Sequence, residues 1–231
     1  MIFYDCSTAP SPRRARMFLA AKGLDIETRE VSIAKGEQLS EAFRAVNPRA
    51  TIPVLVTDDG TVLTENLGIA AFLEAQFPEP PLMGRTPEEK GLVLMWNAIV
   101  EQQGGAPIAE ALRNGHPAFK DRAIPGPSNH AQIPELSQRG RERVASFFEM
   151  LESRLTESPF VAGDVFSLAD LSAFAFVDFA RVTQENDVVS VIATEPLTVN
   201  EQWQRMLPGS YCVFVDGERV DGARLKRDYL N

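Results

Sequence analysis

Cysteine and histidine are scarce, with two of each in 231 residues. Cys6 and Cys212 are too few for a disulfide framework, and neither stands in a Cys-x-x-Cys or other metal-ligand spacing. His116 and His130 have no ligating neighbour in sequence, so no metal is expected in the site. Cationic residues are also short, 23 Lys and Arg against 32 Asp and Glu, a net charge of −9. Nucleic-acid binding needs a dense cationic footprint, so that class of partner is excluded. No uncharged apolar run approaches the roughly 20 residues that span a bilayer, which argues against a membrane partner. Met1–Cys6 also lacks the basic stretch and apolar core of a secretory signal. The expected setting is the cytoplasm.

What is present is ordinary globular composition, 44% hydrophobic and 24% charged, in a length that suits one large or two small domains. Residues 1–80 alternate between two periodicities. Ile2–Asp5 reads as a buried strand. Pro12 then opens a helix with Ala15, Phe18, Leu19 and Lys22 on one face, closed by Gly23. Thr28–Ile33 is strand-like, and Ser40 caps a short helix that stops before Asn47-Pro48. Val54–Thr57 and Thr61–Thr64 flank Asp58-Asp59-Gly60, a hairpin signal, and Ile69, Phe72, Leu73 and Phe77 follow at helical spacing. The order βαβαββα closes as a small mixed sheet flanked by helices.

Pro78–Pro81 makes a stiff link, and residues 81–87 are read as the linker to a second domain, 88–231. There the pattern is helical. One stripe is Leu92, Met95, Trp96 and Ile99; a second is Val144, Phe147, Phe148, Leu151 and Leu155; a third is Leu168, Leu171, Ala175 and Phe179. Asn114–Pro134 reads as a long loop, and Ser167–Asp170 as a capping box. Tyr211–Val220 suits either a small hairpin or an irregular tail.

Three features of the first domain fit one ligand. In Thr51-Ile52-Pro53-Val54 a proline stands at the mouth of an interior strand, where a cis bond is expected and would turn the Ile52 amide and carbonyl outward. Glu65-Asn66 opens a helix whose free N–H groups suit a carboxylate, while Glu65 suits an ammonium. Lys35-Gly36-Glu37-Gln38 offers a polar side chain for the far end. A peptide with an α-amino acid terminus and a central backbone amide satisfies all three.

Lys35–Leu55, with Asp59-Gly60-Thr61 and Thr64-Glu65-Asn66 behind it, resembles the thioredoxin-like domain of cytosolic glutathione transferases. Val161–Asp170 is similar to that superfamily's all-helical domain, and Arg113–Phe119 with Arg122–Gly126 resembles a bacterial branch related to fungal transferases. The resemblance implies a glutathione-binding domain at 1–80 and a helical domain with a co-substrate pocket behind it. By the same resemblance Gln38 contacts the glycine end of glutathione, Thr51 and Ile52 hold its cysteinyl backbone ahead of Pro53, and Glu65 meets the γ-glutamyl ammonium. Asn66 replaces the usual serine, and its amide can still donate to a carboxylate. A homodimer, glutathione as co-substrate and a small hydrophobic electrophile are likewise implied.

Sulfur activation is less settled. The family's usual Cys or Ser position falls near Ala9, which has no usable group. Ser11 is the first candidate donor to the sulfur, with Thr8 and Ser7 as rivals; resemblance to the fungal transferases adds His116 as an alternative. Cys6 reads as a buried thiol, and Trp96, Phe119 and Phe174 as core or pocket residues. The expected activity is glutathione transfer. A glutathione-dependent peroxidase, lyase or dehalogenase, or a non-catalytic glutathione-binding scaffold, remain alternatives.

Overall fold

The computed structural model describes residues 1–180 and the two strands Ser210–Val215 and Glu218–Arg224. The chain begins β1 (Ile2–Asp5), α1 (Pro10–Ala21), β2 (Glu27–Glu30), α2 (Glu41–Val46), β3 (Val54–Val56), β4 (Val62–Thr64), α3 (Asn66–Gln76). The sheet order is β2-β1-β3-β4, with β2 parallel to β1 and the other pairs antiparallel. This is the expected thioredoxin-like arrangement. Period-two alternation divides β1 between the faces. Tyr4 packs edge-on against Phe43 of α2 at 5.8 Å, beside Val31 and Val54. Phe3 and Leu55, paired in register, face the other side.

Local signals set several boundaries. The Ser40 hydroxyl accepts the Phe43 N–H at 3.2 Å and starts α2. Gly60, at φ +84, turns the β3–β4 hairpin, and its N–H donates to the Thr57 carbonyl. Other boundaries move. The first helix begins at Pro10 rather than Pro12, because Ala9 is extended and a first-turn proline needs no N–H partner. Ser11 is therefore inside the first turn. Strand β2 stops at Glu30, wholly exposed at the sheet edge and mostly charged, which keeps that edge unattractive to another strand.

Helical stretches follow: α4 (Pro87–Val100), a π-helical turn (Glu101–Gly105), α5 (Ala106–Gly115), α6 (Pro134–Glu157) and α7 (Leu168–Ala180). The loop expected from Asn114 is shortened at its start, since α5 runs to Gly115; its Pro107 lies in the first turn and so does not break it. Side-chain caps open two elements, a full capping box only at the first. Thr86 and Glu89 exchange hydrogen bonds at the start of α4. Before α7, Asp170 accepts from both the N–H and the hydroxyl of Ser167, at 2.8 and 2.9 Å.

The stripe expected to bury α4 is the wrong one. Leu92 and Met95 are 44% and 46% exposed, and the buried face is Val93, Asn97 and Val100. Asn97 can be buried because Arg14 and Ser172 hydrogen-bond to it. On α6 Val144, Phe147 and Leu151 are buried as expected, but Leu155 is exposed near the helix end. Gly104 and Gly105 allow the close approach of Phe147 and Phe176, whose rings lie within 2.5 Å of where a Cβ would stand. The C-terminal alternative resolves as a hairpin, β5 (Ser210–Val215) against β6 (Glu218–Arg224), so that stretch is not an irregular tail. It belongs to a second compact unit, separate from the one that holds the sheet and helices.

Candidate functional site

The Thr51–Pro53 segment is shaped by a residue that sequence reasoning treated only as a helix boundary. Asn47, 2% exposed, donates from Nδ2 to the Thr51 carbonyl at 2.8 Å and to its Oγ1 at 3.1 Å. Its Oδ1 accepts the Arg49 N–H at 3.1 Å. One buried amide thus ties both ends of the loop that leads into β3. The Ile52–Pro53 bond is cis, as expected. The Ile52 backbone N–H and carbonyl make no hydrogen bond among the described residues. They remain able to pair with an extended peptide in the manner of an added strand.

Glu65 follows β4 at φ +63 and ψ +135, a conformation that costs a non-glycine residue on the order of 1–3 kcal/mol. That strained turn ends β4 and starts α3 at Asn66 with no side-chain cap. The first-turn N–H groups of α3 are left available to an anion. The Glu65 carboxylate is mostly exposed and lies 3.4 Å from Arg49. Asn66 is buried, and its Nδ2 donates to Ser11 Oγ at 2.9 Å. The expected partner of that amide is a carboxylate; the structure gives one of its protons to Ser11.

This contact joins the beginnings of α1 and α3. Pro10 and Pro12 carry no N–H, and Ala9 provides no side-chain cap. The Arg13 N–H already donates to the Ala9 carbonyl. Ser11 is left as the first turn's free backbone donor. Its hydroxyl accepts from Asn66 and donates to no acceptor among the described residues.

The other candidates sit differently. Ser7 is engaged with Glu30 through both its N–H, at 3.0 Å, and its hydroxyl, at 3.1 Å. Thr8 is exposed, with its Oγ1 3.5 Å from the sulfur of buried Cys6. His116 is exposed and acts as a cap, its Nδ1 accepting the Ala118 N–H at 3.2 Å. Its other contacts are with Leu112, Phe119 and Gln132, none of them on α1. Gln38 lies in a 3₁₀ turn, and its Oε1 is buried without a partner. Among the described residues, the buried side-chain atoms without a hydrogen bond are Gln38 Oε1 and Asn66 Oδ1, both on residues of the expected cradle.

Trp96, Phe119 and Phe174 each lie under a different arginine: Arg154 at 4.7 Å, Arg113 at 4.7 Å and Arg13 at 5.2 Å. Only Phe174 is thereby brought beside α1. Arg13 and Arg14 link α1 to the helices. Arg13 pairs with Asp178. Arg14, 5% exposed, donates from Nε to Ser172 Oγ at 3.0 Å and from Nη2 to Asn97 Oδ1 at 3.4 Å, and it pairs with Glu101. Burial lowers the Arg14 pKa from its ordinary value, and Glu101 opposes that shift. The Arg-Arg doublet gave the only sequence signal, since a cation pair just inside a helix start is out of place against the dipole. Among the described residues no group of three or more His, Cys, Asp or Glu is placed to hold a metal, and no helix is long and apolar enough to cross a membrane.

Comparison with known proteins places this geometry. A family model described as Glutathione S-transferase, N-terminal domain, matches residues 8–76. The chain is 33% identical over 187 residues to Glutathione S-transferase 2 of Saccharomyces cerevisiae, covering 80% of this chain and 78% of the relative. The crystal structure of Gtt2 from Saccharomyces cerevisiae superposes with a TM-score of 0.73 at 31% identity, over 80% of this chain and 88% of that one. A glutathione S-transferase domain-containing protein of Marinobacter aquaeolei gives 0.71 at 32% identity, over 79% of this chain and 89% of that one. A second model, described as Glutamine amidotransferases class-II, matches residues 69–229. The described part of that span up to Ala180 consists of helices and loops, and superpositions over four fifths of the chain necessarily include much of it.

Proposed function

Because the chain belongs to the glutathione S-transferase superfamily, we propose that it joins the thiolate of glutathione to a small, partly apolar electrophile, with Ser11 as the donor that stabilises the sulfur. The chain is a glutathione transferase and takes glutathione as its substrate. The assignment of residues and of the second substrate is our reading. The Ile52 backbone, preceded by Thr51 and followed by Pro53, pairs with the cysteinyl residue. Glu65 meets the γ-glutamyl ammonium, the free N–H groups of α3 and the remaining Asn66 proton take its carboxylate, and Gln38 reaches the glycine end. A free thiol is mostly protonated at neutral pH, and a hydrogen bond given to the charged form lowers its pKa. The thiol proton is released to solvent and the thiolate sulfur forms the S–C bond; in a substitution the leaving group departs with its bonding electron pair, and in an addition the displaced π pair stays on the electrophile and takes a proton from solvent.

The single observation behind the Ser11 assignment is the Asn66 Nδ2–Ser11 Oγ bond of 2.9 Å, which places the Ser11 hydroxyl against the start of α3. Ser11→Ala should lower turnover with a generic aryl halide about 10²-fold, the range for removing one such donor, and move the pH–rate profile upward. An unchanged rate and profile would reject the role. The reading includes a homodimer, supported by Leu92 and Met95 of α4 and Leu67 of α3, all exposed large apolar side chains. Sedimentation equilibrium measures it, and a monomer at micromolar concentration counts against it. The reading also includes a cytoplasmic location, where the glutathione pool supplies the thiol, and cell fractionation tests that.

A further inference from the structure

Asn66 stands where the family resemblance leads one to expect serine, and its surroundings are unusual for a side chain selected for stability alone. It is 7% exposed, and its Oδ1 has no partner among the described residues. An unpaired buried amide oxygen costs about 1–3 kcal/mol, which an apolar residue of similar size would avoid. The same side chain reaches across 55 residues of sequence to Ser11 Oγ. By donating to that oxygen it occupies one of the hydroxyl's lone pairs and turns the hydroxyl proton away from α3. The hydroxyl donates no hydrogen bond among the described residues, and Pro10 and Pro12 leave the Ser11 N–H as the free backbone donor of the turn. Two donors of one residue, N–H and O–H, are thus presented together.

We propose that Asn66 is a positioning residue that sets the pKa of the bound thiol through Ser11, fixing the serine hydroxyl as a donor toward sulfur. This rests on the Ser11 reading above and adds to it the group that orients the hydroxyl. Without Asn66 the hydroxyl rotates freely and spends part of its time donating elsewhere. An aspartate of the same shape does worse: it accepts the Ser11 proton and sets a negative charge beside the developing thiolate.

The test titrates the thiolate absorbance of bound glutathione in the ultraviolet for the parent and for Ser11→Ala, Asn66→Ala, Asn66→Ser, Asn66→Asp and the Ser11→Ala/Asn66→Ala double variant. Binding of S-methylglutathione, measured by calorimetry, identifies the variants with an intact cradle. Asn66→Ser restores the family's usual residue but is too short to hold Ser11. Read at saturating glutathione, whatever its change in affinity for S-methylglutathione, it should raise the bound thiol pKa by about one unit, a loss of thiolate that approaches tenfold at pH values below the bound pKa. Asn66→Asp should raise it further, and kcat/KM should follow the thiolate fraction. In the double variant the Asn66 change should add nothing to the shift already caused by Ser11→Ala, because the effect passes through the hydroxyl. If Ser11→Ala shifts the pKa and the Asn66 variants that bind S-methylglutathione do not, the positioning role is overturned and the Ser11 reading stands. Additive shifts in the double variant also overturn it. If Ser11→Ala itself leaves the pKa in place, both fall.

Discussion

Replacing Arg14 by methionine removes a buried cation while keeping most of its volume, and the structure allows the cost to be worked out. Three polar interactions disappear: the 3.0 Å bond to Ser172 Oγ, the 3.4 Å bond to Asn97 Oδ1, and the ion pair with Glu101; a fourth, the guanidinium 4.9 Å from the Phe176 ring centroid, is replaced by a thioether–ring contact of comparable strength. Breaking a buried ion pair from one side costs roughly 3–5 kcal/mol when the abandoned charge stays buried. Here the Glu101 side chain is 35% exposed, so water takes up much of its charge and that share falls toward about 1 kcal/mol. Ser172 and Asn97 are 0% and 1% exposed, but they keep their mutual bond, Ser172 Oγ donating to Asn97 Oδ1 at 2.6 Å. Weakening their pairing without abolishing it adds about 1–2 kcal/mol. The total is about 2–3 kcal/mol, or about 5–10 °C in Tm for a chain of this size. Thermal melts followed by circular dichroism measure it, with Arg14→Lys expected between parent and methionine because the charge returns without the planar fork. A methionine variant melting within about 1 °C of the parent would show that the network contributes nothing net and refute this accounting.

Asn47→Ala removes both ties that shape the loop before β3, so the Ile52 backbone should lose its preset direction. KM for glutathione should rise by about tenfold, on the order of one or two lost hydrogen bonds, with kcat changed far less; steady-state kinetics at saturating electrophile distinguish the two, and an equal fall in kcat would contradict a binding role. Glu89 gives a pH-dependent test. Its carboxylate accepts the Arg85 N–H and then the Thr86 N–H, which holds its pKa below the ordinary 4.5. With the folded pKa depressed, its stabilising contribution is complete above 4.5 and is lost as pH falls through the lower folded value. The Tm gap between parent and Glu89→Gln should therefore be widest near neutrality and close in acid; a gap that widens on acidification would reverse the sign and reject the assignment.

The parts of this protein legible from sequence are those decided within a few residues. Ser40 caps α2 because its hydroxyl meets an N–H three positions on, and Asp59-Gly60 turns a hairpin because glycine tolerates φ +84. Pro53 stands at a strand mouth because it cannot donate inside a sheet, and Thr64-Glu65-Asn66 marks the passage from strand to helix. These local rules were enough for the order of elements in the first domain and for the expectation of a peptide-binding cradle, and the family relatives agree on glutathione.

Tertiary structure decided the pairings of buried polar groups. Sequence favours Leu92, Met95, Trp96 and Ile99 as the inward face of α4, because that stripe is the more apolar one. The molecule instead buries Val93, Asn97 and Val100, since Arg14 and Ser172 arrive from 83 and 75 residues away to satisfy Asn97. Asn47 looked like the end of a helix until Thr51 folded back against it. Ser11 was one hydroxyl among several in a loop until Asn66, 55 residues on, came to 2.9 Å of it. A buried donor or acceptor is tolerable only with its partner in place. When that partner is distant in sequence, periodicity carries no trace of it, and nothing local in the sequence tells that Ser11, rather than Ser7 or Thr8, is the hydroxyl that meets Asn66.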